Sequence, residues 1–201
     1  THHFYCGIDL HAYVLYICIL DQTGQAVRHC KLNATSIDLI DILAPYKQQD
    51  LVVGVECMHC WYWVSDLCRD FNIPFVLGHA LYMRAIHGGK AKNDKIDSYE
   101  IAKLLRGGMF PLAYDYPAEM RSTRDLLRRR EHPMRKRAEL LAHIKNTNSQ
   151  YNLPPIDMNL RYPHKRALMK GRFDDISVQR SIDMDLHLID FYDKELSSVE
   201  Y

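Results

Sequence analysis

The segment Leu51-Val52-Val53-Gly54-Val55-Glu56 is apolar at every position except its last. A strand alternates its side chains between two faces, so a run with no polar alternate is buried on both. Such a strand belongs inside a sheet that helices cover on each side, and the chain is therefore read as an α/β protein. The strand also closes on a carboxylate. A charge at the mouth of a buried strand is costly unless hydrogen bonds or a cation compensate it.

The elements around this strand follow from pattern. Residues 4–10 and 13–20 are rich in Ile, Leu, Val, Tyr and Cys and stand two residues apart, which predicts a hairpin. Asp21-Gln22-Thr23-Gly24 is a turn signal, and residues 26–32 form a third, weaker strand. Ser36 is the expected N-cap of a helix through Ile37, Leu39, Ile40, Ile42 and Leu43 that ends near Pro45. Residues 61–71 read as a helix, 74–77 as a fifth strand, and 81–86 as a short helical or irregular piece. Gly88-Gly89 precedes a further helix from Asp94, which Gly107-Gly108 and Pro111 end. The order β-β-β-α-β-α-β-α makes the fourth strand parallel to a neighbour, so the expected fold is a mixed five-stranded sheet flanked by helices.

After Pro117 the character changes. Residues 119–150 are helical in pattern, with Leu127, Met134 and Leu141 at heptad spacing and Pro133 expected to kink or interrupt them. Residues 152–171 carry Pro154, Pro155 and Pro163 and read as a loop with some local order. Ile182, Leu186, Ile189, Leu196 and Val199 resume a seven-residue pattern that Asp193 interrupts. The pattern reaches Tyr201 with no stop signal, so the chain is expected to be cut short. The predicted division is an α/β domain over residues 1–117 and a helical, partly coiled-coil extension over 118–201.

Composition excludes little but directs attention. Hydrophobic residues are 47% and charged residues 25% of 201, the balance of an ordinary globular protein. No apolar run approaches the ~20 residues that span a bilayer, and no signal peptide is visible. A cytoplasmic, nucleoid-associated protein with no membrane partner is expected. Cysteines 6, 18, 30, 57, 60 and 68 all lie in the first third and suit reduced thiols. Cys57-Met58-His59-Cys60 invites a zinc reading, but a structural site needs four ligands and no second pair follows.

The net charge of +1 hides a segregation. Arg121, Arg124, Arg128, Arg129, Arg130, Arg135, Lys136, Arg137 and Lys145 face only three acids in the same stretch. From Asp174 to Tyr201 eight acids face two bases. The basic helix reads as a phosphate-binding stripe. The alternatives are a solvated face laced with salt bridges, or pairing with the acidic helix.

Two further carboxylate positions complete a set. Asp9 interrupts the apolar run Phe4-Tyr5-Cys6-Gly7-Ile8-Asp9-Leu10, while Asp94 and Asp97 stand three apart on one helix face. Magnesium takes hard oxygen ligands and keeps several waters, so a few carboxylates and a substrate phosphate suffice. Two such ions ~3.5–4 Å apart stabilise the attacking and leaving oxygens of a phosphodiester displacement. Lys92 and Lys95 flank the helical pair, in reach of phosphates. Each acid alone also has a plain explanation, the helical pair by its favourable place near a helix N-terminus.

Gly7-Ile8-Asp9, Val55-Glu56 ahead of an aromatic-bearing helix, and Lys92-Asn93-Asp94-Lys95-Ile96-Asp97 leading into Ile101-Ala102-Lys103-Leu104-Leu105 resemble the DEDD insertion-sequence transposases, the IS one-ten family, and the related pilin-gene-inverting recombinases. The Arg-rich run Leu126-Leu127-Arg128-Arg129-Arg130 follows where the family has one, and the resemblance covers roughly residues 4–150. It implies a ribonuclease H-like (RuvC-like) domain whose acidic tetrad is Asp9, Glu56, Asp94 and Asp97. It further implies Mg²⁺ (or Mn²⁺), DNA cleavage and exchange under a structured guide RNA, and a homo-oligomer. Family members also carry a C-terminal domain with a nucleophilic serine; the expectation is that it lies beyond Tyr201 and that this portion alone is inactive. Cys57-Met58-His59-Cys60 departs from the small, polar residues usual there, and Asn93 stands where Thr is usual.

Two other readings remain open at this level. An actin-like kinase also opens with an Asp on a hairpin, but Asp9-Leu10-His11-Ala12 lacks the Gly that cradles phosphate and no Gly-rich loop follows. A non-catalytic nucleic-acid-binding and dimerising module would use the carboxylates structurally. Metal dependence separates that module from an enzyme.

Overall fold

The computed structural model describes residues 2–87 and 93–199. It divides into two compact units, Thr1–Ala118 and Glu119–Tyr201.

The first unit is built on one mixed sheet. Its strands are β1 (Phe4–Leu10), β2 (Val14–Asp21), β3 (Ala26–Asn33), β4 (Leu51–Glu56), β5 (Phe75–Gly78) and β6 (Leu112–Ala113), in the spatial order β3-β2-β1-β4-β5-β6. β1, β2 and β3 pair antiparallel, β4 lies parallel to β1 and β5 parallel to β4. The sheet has six strands where sequence pattern gave five. β6 is only two residues long and pairs antiparallel with Leu77 and Gly78, too short for any alternation to show.

The faces are set by residue parity. Cys6, Ile8 and Leu10 of β1, Ile17 and Ile19 of β2, and Val53 and Val55 of β4 share one core with Leu39 and Leu43 of α1 (Ser36–Lys47) and Val64 and Cys68 of α2 (Tyr62–Asp70). Trp61, buried to 2% exposure, joins that core. Cys18 and Leu20, of opposite parity, pack with Ala102 of α4 (Asp94–Arg106) on the other face. A shorter helix, α3 (Ala80–His87), follows β5. β4 is covered on both faces, as its unbroken apolar run requires.

The contact of α4 with the sheet is unusually close. Gly7 and Gly54 are register partners on β1 and β4. A Cβ on Gly7 would stand 2.3 Å from the backbone nitrogen of Ala102 and 2.3 Å from the carbonyl oxygen of Ser98. On Gly54 it would meet the Leu105 side chain at 2.5 Å. The helix backbone therefore rests on the β1 backbone, with room for hydrogen alone at Gly7.

Helix ends differ from the sequence reading in two places. Thr35, not Ser36, caps α1, its side-chain oxygen accepting from the Asp38 N–H. Pro45 lies inside α1 rather than ending it. The bond it forgoes is to the carbonyl of exposed Asp41, which water can satisfy.

The second unit is helical: α5 (Ala118–Gln150), α6 (Pro163–Arg166) with a 3₁₀ turn over Ala167–Met169, and α7 (Ile176–Val199). α5 runs unbroken through Pro133, contrary to the expected interruption. The orphaned carbonyl there belongs to exposed Arg129, and good helix formers flank the site. Arg137 pairs with Asp193 and His143 with Asp185, so α5 and α7 lie antiparallel. Ile144, Leu160, Met169, Phe173, Ile182, Leu186 and Ile189 form the core between them. Of the heptad residues, Leu141 packs against this core, while Leu127 and Met134 are exposed. Asp193, which broke the apolar pattern, holds both Arg137 and the buried Arg166. Arg166 also meets Asp190 and donates to the carbonyls of Leu160 and Arg161, so its buried charge is compensated.

Gly7→Ala is expected to destabilise the first unit by about 1–3 kcal/mol, the usual penalty for overpacking. Gly54→Ala is expected to cost less, because a flexible Leu105 side chain can give way where backbone cannot. Urea denaturation of the two variants reads the order; equal costs would contradict a backbone-on-backbone contact.

Candidate active site

The close seat of α4 places its N-terminus beside the carboxyl end of β1. Gly7 faces α4, and so by strand alternation do Asp9 and the following His11. On β4, Gly54 faces α4 and Glu56 follows with the same parity. Ile8 and Val55 are register partners, so Asp9 and Glu56 come next on adjacent parallel strands. The carboxyl ends of parallel strands are the usual place for ligand sites in α/β sheets.

α4 starts where it does because Asn93 caps it. The Asn93 side-chain oxygen accepts from the Lys95 N–H at 3.0 Å, a role for which Asn ranks among the best residues. His29 of β3 supports the same turn: its Nε2 lies 2.8 Å from the Lys95 carbonyl and 3.3 Å from Ser98 Oγ. Asp94 and Asp97 thus occupy a fixed first turn.

Asp9, His11 and Asp94 converge. His11 Nε2 is 3.3 Å from Asp9 Oδ2 and 3.6 Å from Asp94 Oδ2. One ligand atom from each residue lies within 4.8 Å of the others. The Asp9 side chain is 13% exposed, while Asp94 and His11 are 43% and 47% exposed. Burial pushes the Asp9 carboxyl above its ordinary pKa; His11 opposes the rise, and Asp94 and Asp97 add to it. These hard oxygen donors, with one imidazole nitrogen, suit a divalent cation.

Of the expected carboxylates, Asp9 and Asp94 are thus brought together. Asp97 is close enough to act on Asp9 electrostatically, and Glu56 lies half-buried at the end of β4. Neither joins the Asp9–His11–Asp94 group among the described residues. Lys95 is exposed beside the site; Lys92 lies outside the described residues. His11 was not singled out from sequence, although its place two residues after Asp9 is a strand-period signal. Cys57 and Cys60 belong to no group of three ligands among the described residues, and the Cys60 thiol donates to the Leu10 carbonyl.

The basic residues of α5 separate by environment. Arg121 is buried to 4% exposure, which removes it from a solvent-facing stripe. Arg124 pairs with Asp125, Arg135 with Glu131, Lys136 with Glu139 and Arg137 with Asp193. Arg130 donates to Met134 Sδ. Arg128 and Arg129 are exposed with no ion-pair partner among the described residues, and Lys145 lines a cleft of about 580 Å³ with Leu141, Ile156, Met158 and Arg161.

A mixed sheet of this order, with carboxylates at the ends of adjacent β1 and β4 and an acidic helix turn beside them, is a ribonuclease H-like (RuvC-like) fold. Residues 6–152 match a transposase family model, that of the DEDD transposases of IS110 elements, and the chain belongs to this family. Among solved structures it is similar to T. thermophilus RuvC in complex with Holliday junction substrate, at 13% identity and a TM-score of 0.39, covering 56% of this chain and 100% of that one. No curated protein matches it.

The raised pKa of Asp9 has a signed consequence. Above the ordinary carboxylate value of 3.8 and below its own, the folded chain holds a proton that the unfolded chain has released. Stability therefore falls as pH rises through that window, and the ionised Asp9 is a net cost near pH 7. Asp9→Asn is expected to raise the Tm of the metal-free protein at neutral pH and to leave it nearly unchanged below the window. Thermal melts at both pH values test this; a loss of Tm at neutral pH would contradict it.

Proposed function

We propose that this transposase chain carries a metal-dependent nuclease centre, in which Asp9, Glu56, Asp94 and Asp97 hold Mg²⁺, or Mn²⁺ in its place, against a DNA phosphodiester. The convergence of the Asp9 and Asp94 oxygens beside His11 carries this reading. A bound divalent ion polarises the phosphoryl oxygen and activates the attacking group. The protein supplies the rest: a half-buried carboxylate fixed on β1, a capped helix turn that presents two more, and Glu56 on the adjacent strand. The exposed Lys95 amino group lies where it can meet a flanking phosphate.

Residues 1–117 form the catalytic domain in this reading, and residues 118–201 the binding and assembly extension. Arg128 and Arg129 offer guanidinium groups to a phosphate backbone, whether target DNA or a structured guide RNA. Exposed Met120, Leu127 and Met134 repeat at seven-residue spacing on α5, which supports coiled-coil pairing with a second copy. None of the helices among the described residues is long and apolar enough to cross a membrane, and the proposed place of action is the cytoplasm, at the nucleoid.

Asp9→Asn and Asp94→Asn are each expected to abolish Mg²⁺ and Mn²⁺ binding in calorimetric titrations while the circular dichroism spectrum stays native. In a protein that also carries the nucleophilic-serine domain, DNA strand cleavage should fall by about 10³-fold, the several kcal/mol a metal contributes. Cleavage unchanged in either variant would return the carboxylates to a structural role and favour the non-catalytic binding module. Replacing Arg128 and Arg129 by Ser should reduce the slope of log affinity against log salt by about two. An unaltered slope would assign that face to solvent or protein contacts.

A further inference from the structure

We propose that His11 is itself a ligand to the divalent ion, making the donor set a mixture of nitrogen and oxygen and moving its preference away from Mg²⁺ toward Mn²⁺ and the later transition ions. This rests on the reading that Asp9 and Asp94 hold a metal, and extends it.

The distances support a ligand better than an ion pair. Charge-assisted N–H···O bonds run about 2.7–2.9 Å, whereas His11 Nε2 stands 3.3 Å and 3.6 Å from the two carboxylate oxygens. Two donors each ~2.1 Å from a shared ion are ~3.0 Å apart at a right angle and ~3.4 Å apart at a tetrahedral one. The observed separations fall close to that range. Moreover, a single ring nitrogen faces both carboxylates. One N–H can serve two acceptors only as a shared, lengthened three-centre bond, whereas one lone pair and two carboxylate oxygens can converge on a common centre.

The backbone fixes this arrangement. The His11 N–H donates to the Val14 carbonyl at 2.9 Å, closing the hairpin between β1 and β2. Strand alternation then sends the side chain to the α4 side, over Asp9. His11 and Asp94 are each nearly half exposed, leaving coordination positions for water and a substrate oxygen. Imidazole suits transition ions, while carboxylate and water alone suit Mg²⁺. Replacing one oxygen by nitrogen therefore biases the choice between them.

Mn²⁺ alone, titrated into the intact chain and followed by electron paramagnetic resonance, tests this without any catalytic assay. The expected result is bound Mn²⁺ whose pulsed spectrum shows directly coordinated nitrogen, with the coupling changing when histidine carries heavy nitrogen. His11→Ala should remove the coupling and weaken Mn²⁺ on the order of 10–100-fold, with a much smaller change for Mg²⁺ in competition. Bound Mn²⁺ with no nitrogen coupling in the unmodified protein, or coupling that survives in His11→Ala, overturns the role of His11 while leaving the carboxylate site standing. Absence of Mn²⁺ binding, or binding indifferent to Asp9→Asn, overturns both.

Discussion

Two facing glycines set the distance at which α4 lies on the sheet, and the candidate site inherits its dimensions from that distance. Gly7 and Gly54 stand side by side on β1 and β4, and the backbone of α4 at Ser98 and Ala102 occupies the space a Cβ on Gly7 would take. Helices normally pack on sheets through interlocking side chains; here main chain meets main chain on one side. One turn before Ser98, the helix begins at Asp94, and two residues after Gly7 stands Asp9. The short reach of an aspartate can bridge the gap only because the elements are so close. Asn93 and His29 then hold the first turn where the packing puts it.

Much of this was legible in the sequence, for identifiable reasons. The hairpin, the doubly buried β4 and the helix from Asp94 each left a strong pattern of apolar residues, caps and breakers. The carboxylates stood out because they sat on apolar elements. What escaped detection had no local signature. β6 exists only as a partner for β5, and its two residues carry no period of their own. Pro133 and Pro45 read as breakers, yet each sits where the released carbonyl faces solvent. Asp193 looked like a flaw in an apolar repeat because its partners, Arg137 and Arg166, arrive from elsewhere in the chain. His11 belongs to no motif of its own in the sequence; only the fold shows that Asp94 comes to its other side.

The site is also a place where the fold works against itself. Burial raises the proton affinity of Asp9, and the neighbouring Asp94 and Asp97 raise it further. A chain selected for stability alone would place an amide or an apolar residue there. A thiol in the core on the other face of the sheet shows the contrast: burial pushes Cys68 up to about 12, leaving it a neutral and inert part of the core. Near Asp9 the same physics leaves a charge that lacks full compensation from protein, which is a condition a cation can relieve.

The pairing of Asp193 with Arg137 and of Asp185 with His143 sets acids of α7 against the rear half of α5, while Arg128 and Arg129 nearer the front have no such partners among the described residues. A chain of net charge +1 thus carries a helical unit polarised along its own length. To a polyanion at a distance such a molecule is nearly neutral, and attraction grows only within about a Debye length, ~8 Å at physiological salt. In the phosphate-binding role proposed for α5, what the polarity exerts is torque: it would turn the front of α5 toward the phosphates before any contact forms. Encounter becomes selective in orientation more than in rate.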